Sequence, residues 1–181
     1  MAMFAGFRFR FSVNAFHVLS SMIAVFVIAI MLGAAGPAAA APEALVQQIA
    51  IGGDHGCALT LSGGVKCWGS NANGQVGDGS TTNRLAPVDV PDLSGGVTTI
   101  AAGAAHTCVL TRTGSVKCWG RNDNGQLGDG SSTASVTPVD VVGLGSGITA
   151  IAAGDSHTCA LTSDGTVKCW GGNGFGQLGD G

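Results

Sequence analysis

From residue 45 onward, the apolar residues of this chain fall in short runs bounded by Gly, Asn, Asp or Pro. The runs LVQQIAIG (45–52), VTTIAAG (97–103) and ITAIAAG (148–154) are apolar and small. Each is followed by HGCALT, HTCVLT or HTCALT, starting at His55, His106 and His157, and then by a Gly-containing turn. Next come GVKCWG, SVKCWG and TVKCWG, a Gly-rich phrase, and a short PVDV run at Pro87 and Pro138. Runs of this length, rich in Val, Ile and Thr and punctuated by turn residues, predict strands. No part of 41–181 keeps a 3.6-residue period over ten residues, so helices are not expected there.

The order of the runs repeats every 51 residues, as Cys67, Cys118 and Cys169 show. Gly103–Gly130 and Gly154–Gly181 agree at 19 of 28 positions, and Gly53–Gly79 fits the same frame. Four short strands per unit, repeated at a fixed interval, predict the blades of a β-propeller. The Ala- and Gly-rich first strand suits the crowded position near the axis. The PVDV strand suits an edge, because proline cannot donate to a central ladder. The predicted fold class is therefore all-β, about three four-stranded blades of an incomplete propeller, spanning roughly 45–96, 97–147 and 148–181. The phrase GQLGDG reads as a loop, in which Gly permits positive φ and Asp and Asn fold back onto nearby amides. Gln75, Gln126 and Gln177 are expected to bond exposed backbone within it.

The first forty residues have a different composition. Arg8 and Arg10 precede an uncharged stretch from Phe11 to Pro42, with a strongly apolar segment at Met22–Leu32 and an A-x-A pattern at Ala38 and Ala40. This predicts a signal peptide over 1–40, cleaved after Ala40, with a retained N-terminal anchor as the alternative. The protein is then secreted or extracytoplasmic, and it meets a membrane only if that segment is retained. Residues 41–181 hold six basic and eleven acidic side chains, a net charge of −5. That balance excludes a nucleic-acid partner, which requires basic surface.

Six cysteines fall as Cys57/Cys67, Cys108/Cys118 and Cys159/Cys169, ten residues apart across one hairpin turn. In an exported chain, that even count and spacing predict a disulfide within each blade. His55, His106 and His157 each stand two positions before a cysteine, on the same strand face. A His–Cys–Cys metal site is the competing reading, but no fourth protein ligand is visible and no metal or cofactor is expected. The plainer role of each histidine is a buried or half-buried ring bonded to loop backbone. Trp68, Trp119 and Trp170 point to the opposite face from the cysteines and are expected to pack between blades, each N–H reaching a loop carbonyl; a ligand-stacking row is the alternative. Catalytic patterns fail. GFGQLG at Gly174–Gly179 has no following helix, and no G-x-S-x-G or HExxH occurs, so an enzyme is not expected.

The combination GxxHTCxLTxxGxVKCWGxNxxGQLGDGS resembles the repeat of the regulator of chromosome condensation family, over essentially all of Ile49–Gly181. The resemblance implies a seven-bladed propeller closed by strands from both chain ends, and a protein-binding platform. About three blades stand in this sequence. Ring closure is therefore expected from further repeats of a longer gene product, with self-association as the alternative. The expected function is a secreted, non-catalytic scaffold that binds an unknown protein partner through variable loop tips. The candidate contact residues are Asn71, Asn73, Arg84, Arg121, Asp123 and Phe175. The alternative implied by the family is an enzyme-regulating protein, either a hydrolase inhibitor or a guanine-nucleotide exchange factor.

Overall fold

The computed structural model of the protein describes residues 45–145 and 147–181. The expected signal segment, 1–40, lies outside the described residues. Eleven strands and no helix occur among the described residues. Strands β1 (Val46–Ile51), β2 (His55–Thr60), β3 (Val65–Gly69) and β4 (Arg84–Asp89) form one antiparallel sheet in chain order. Strands β5 (Val97–Ala102), β6 (His106–Thr111), β7 (Val116–Gly120) and β8 (Ser135–Asp140) form a second. Strands β9 (Ile148–Ala153), β10 (His157–Thr162) and β11 (Val167–Gly171) form a third. These are blades 1, 2 and 3.

The strands lie where the apolar runs predict, with one difference. The PVDV words do not start their strands: β4 begins at Arg84 and β8 at Ser135, three residues before the proline. The reason is register. Gly69 pairs with Arg84 and Gly120 with Ser135, each across an irregularity, and this extends the ladder backward from the proline. Both strands lie at a sheet edge, so the missing N–H of Pro87 or Pro138 breaks no central ladder.

Most of the core lies between the blades. Leu59, Val65, Val76, Val90 and Leu93 of blade 1 bury together with Val97, Ile100, Val109 and Trp119 of blade 2. Leu110, Val116, Leu127 and Leu144 do the same with Ile148 and Ala160 of blade 3, and Trp170 packs against them. The turns that follow the first strand of each blade are joined by main-chain bonds: Gly53 N donates to Ala104 O, and Ala104 N to Asp155 O. Trp119 is fully buried. Removing a side chain of that size from water contributes roughly 3 kcal/mol. In a chain with few large apolar residues, this inter-blade packing is what fixes the position of the loops.

Candidate functional site

Two structures recur in every blade, a seam between neighbours and a loop after the third strand. The seam begins at the histidine. His55 Nε2 lies 2.8 Å from Thr107 Oγ1 of the next blade, and His106 Nε2 lies 2.9 Å from Thr158 Oγ1. Each threonine hydroxyl donates to a main-chain carbonyl, Thr107 to Gln75 and Thr158 to Gln126, at 3.0 and 3.1 Å. A hydroxyl has one proton, and a carbonyl can only accept it. The histidine Nε2 must therefore carry the proton and donate to the threonine. That fixes the tautomer and leaves Nδ1 a bare acceptor, which meets no donor among the described residues. Burial pushes the His55 and His106 imidazoles down to about 4, so both are neutral at physiological pH.

The same carbonyls accept a second bond. Trp119 Nε1 donates to Gln75 O and Trp170 Nε1 to Gln126 O, each at 2.9 Å. The expected inter-blade packing of the tryptophans is thus present at Trp119 and Trp170. Trp68 is half-buried on the far face of blade 1. Each histidine ring lies against the glycine that follows the preceding strand, Gly52, Gly103 or Gly154. A Cβ on Gly103 would stand 2.2 Å from His106 Cε1, so no larger residue fits there.

The sulfurs of Cys57 and Cys67 lie 2.11 Å apart, those of Cys108 and Cys118 2.14 Å, and those of Cys159 and Cys169 2.08 Å. Each pair occupies opposed positions on antiparallel strands, with Cα atoms 4.1 Å apart. No group of three or more His, Cys, Asp and Glu arranged to hold a metal occurs among the described residues.

The loop is built around one buried asparagine. Asn122 is fully buried; its Oδ1 accepts from Leu127 N, and its Nδ2 donates to Asp129 Oδ1, Ser131 O and Thr133 O, all within 3.2 Å. Asn71 does the same with Val76, Asp78, Ser80 and Thr82. Asn71 therefore reaches no surface and builds its loop from inside, which removes it from the expected contact residues. Gln75, Gln126 and Gln177 accept from the main-chain N–H of Asn73, Asn124 and Phe175 through their side-chain oxygens, the expected loop bond.

The remaining candidates divide by exposure. Arg84 is half-buried, with its guanidinium bonded to the Asp78 carboxylate and to Ser80. Burial pushes the Asp78 carboxyl up, but the bonds from Ser80 and Arg84 outweigh it and hold it below the usual carboxylate range. Asn73 is half-buried. Arg121 and Asp123 are exposed and paired to each other at 2.7 Å, and Phe175 is 96% exposed. Sequence reasoning missed Thr107, Thr158 and Asn122. Their recurrence at the 51-residue interval was the available signal.

The arrangement matches known proteins. Models of the regulator of chromosome condensation (RCC1) repeat match residues 46–75, 97–126 and 148–177, and a second model of that repeat matches 62–110 and 113–161. The chain is 36% identical over 138 residues to the ultraviolet-B receptor UVR8 of Arabidopsis thaliana, covering 75% of this chain and 31% of the relative. It is 39% identical over 160 residues to the human probable E3 ubiquitin-protein ligase HERC3, covering 83% of this chain and 15% of the relative. Human WBSCR16 superposes with a TM-score of 0.66 at 27% identity, covering 74% of this chain and 35% of that one. Yeast RCC1 (Prp20), solved bound to Kap60, superposes with a TM-score of 0.61 at 26% identity, covering 71% and 32%. The chain thus spans about a third or less of the proteins it resembles. On the match of the repeat models and the propeller fold, the chain belongs to the regulator of chromosome condensation (RCC1) repeat family.

Proposed function

We propose that this protein is a secreted, non-catalytic scaffold that binds another protein through the exposed tips of its third-strand loops. The observation that carries the reading is the division within each loop. Asn71 and Asn122 hold the loop interior with the same bonds, while the residues outside that lock differ from blade to blade. At the three aligned tip positions blade 1 has Ser70, Ala72 and Asn73, blade 2 has Arg121, Asp123 and Asn124, and blade 3 has Gly172, Gly174 and Phe175, so blades 1 and 2 share only the last. A rigid frame with changing tips is how proteins place recognition on loops. A Phe this exposed is a natural anchor for a partner's apolar surface. Yeast Prp20, one of the similar structures, was solved bound to Kap60, which supports a protein partner as the class.

Secretion is supported by the cysteine pairs, held at bonding distance in buried cross-strand positions. In this reading each pair is a disulfide. Intact mass after alkylation without reductant would then show no added alkyl groups, and six after reduction. The binding reading is tested with the full-length protein as bait on extracytoplasmic fractions, beside a variant carrying R121A, D123A and F175S. Capture of a partner by the parent and its loss in the variant, with the fold unchanged by circular dichroism, is the expected result. Equal capture by both would remove these tips from the site.

A further inference from the structure

Each seam is made by one row of residues crossing three strands. In blade 2 the row is Ala102, Thr107 and Trp119, register partners on β5, β6 and β7. In blade 3 it is Ala153, Thr158 and Trp170. Both rows face the preceding blade, where the threonine takes the histidine N–H and threonine and tryptophan share the glutamine carbonyl. Blade 1 has the corresponding row on its outer face with two residues changed: Ile51, Gly56 and Trp68.

The two changes act together. Gly56 has no hydroxyl, so the one group that bonds a neighbour's histidine and carbonyl at once is missing. A Cβ on Gly56 would stand 2.8 Å from Cζ2 of Trp68, so the indole leans into space that a threonine side chain would need. Ile51 is 65% exposed where the other blades hold alanine. Ala102 packs against the core between blades 1 and 2, and a side chain larger by three carbons overfills a seam of that kind. Ile51, Gly56 and Trp68 border one shallow hollow of about 220 Å³.

The opposite open face keeps the regular residues. On blade 3, His157 is half-buried, and Leu161 and Val167 are exposed, whereas Leu59, Val65, Leu110 and Val116 are buried. We propose that the blade 3 face is a docking site for a blade of the Ala–Thr–Trp type, and that Ile51 and Gly56 key the blade 1 face against that same surface. The two open faces of this chain are then not mates, and a second copy does not add end to end. The occupant of the blade 3 face is a repeat that places threonine immediately before its first cysteine. The argument for that occupant is continuity: the same seam is made twice within the chain with the same atoms.

The inference is separate from the loop-tip reading, and its test is self-association of the whole chain. Sedimentation velocity over a concentration series compares the parent with I51A/G56T, which restores the Ala–Thr–Trp row. The parent is expected to show no association that depends on His157. The double variant is expected to associate at concentrations at least about tenfold lower, and adding H157A is expected to reverse this. If the threonine variant does not fold, judged by near-ultraviolet circular dichroism of its tryptophans, I51A/G56S offers the hydroxyl on a smaller side chain. Two results overturn the proposal: parent chains that associate and lose association with H157A, or a folded row-restored variant that sediments like the parent at every concentration.

Discussion

At the scale of single residues, the strongest demands fall on buried polar groups. Asn122 satisfies four loop groups from a position without solvent. Asn122→Ala leaves the buried Leu127 N–H without its acceptor, whereas the carbonyls of Ser131 and Thr133 belong to exposed residues that water reaches. A loss of about 1–3 kcal/mol is expected, the cost of one buried unpaired group, measured as a lower denaturant midpoint at unchanged slope. The histidines set a pH dependence. His55 and His106 titrate near 4 in the fold and near the ordinary 6.5 when unfolded. Above 6.5 both states are neutral and the groups contribute nothing. As pH falls below 6.5 the unfolded chain takes up the protons first, so stability declines until about pH 4, where the folded state binds them too. The slope in that window is up to about 1.4 kcal/mol per pH unit for each histidine. Asp78 and Asp129 act separately: both carboxyls are held low, so their contribution is present above the usual carboxylate range and is lost only as pH falls below it. Denaturation midpoints at pH 7, 6, 5 and 4 check the sign; a flat profile between 6.5 and 4 would contradict the buried neutral rings.

At the scale of the element, the hairpin of second and third strands is the unit most legible in the sequence. His, Cys and Trp at a fixed interval place β2, β3 and their copies, because alternation along a strand and pairing across a turn are both local. The seam was less legible. It joins residues 52 apart, such as His55 and Thr107, and nothing in a strand word says which neighbour its outward residue meets. The loop interior was misread at Asn71 for a related reason. Asparagine reads as an exposed turn residue unless one knows that the chain wraps around it. The cysteines are predicted to act at this scale too. Closing a loop of ten residues restricts the unfolded chain by an amount worth about 2–3 kcal/mol. Replacing Cys108 and Cys118 together by alanine is expected to lower stability by about that much, read by denaturant melts under non-reducing conditions. An unchanged midpoint would mean that this pair is not bridged in the parent.

At the scale of the whole molecule, stability is a matter of neighbours. Each blade is a thin sheet whose buried residues lie against the next blade, so its stability is its own plus that of its seams, as in other repeat arrays. Blade 2 has a seam on both sides. His106, Trp119 and Val109 are each fully buried there. Among the described residues blade 3 makes a seam with blade 2 alone, and its Val167 is 62% exposed where Val116 is 3%. Strands β6 and β10 each lie between two partners in matching register, whereas β7 is also paired to β8 and β11 is a sheet edge. A difference in protection between β6 and β10 therefore reports the seams and not the ladders. Amide hydrogen exchange read by mass spectrometry is expected to be slow in β6 and at least about tenfold faster in β10, which corresponds to about 1.4 kcal/mol of opening free energy. Trp119→Phe removes the indole bond to Gln75 while keeping most of the apolar contact, and it should speed exchange on both sides of the first seam, in β2 and β3 as well as β6 and β7. Faster exchange confined to β7 would show that the blades open independently, and the coupling through Gln75 would have to be given up.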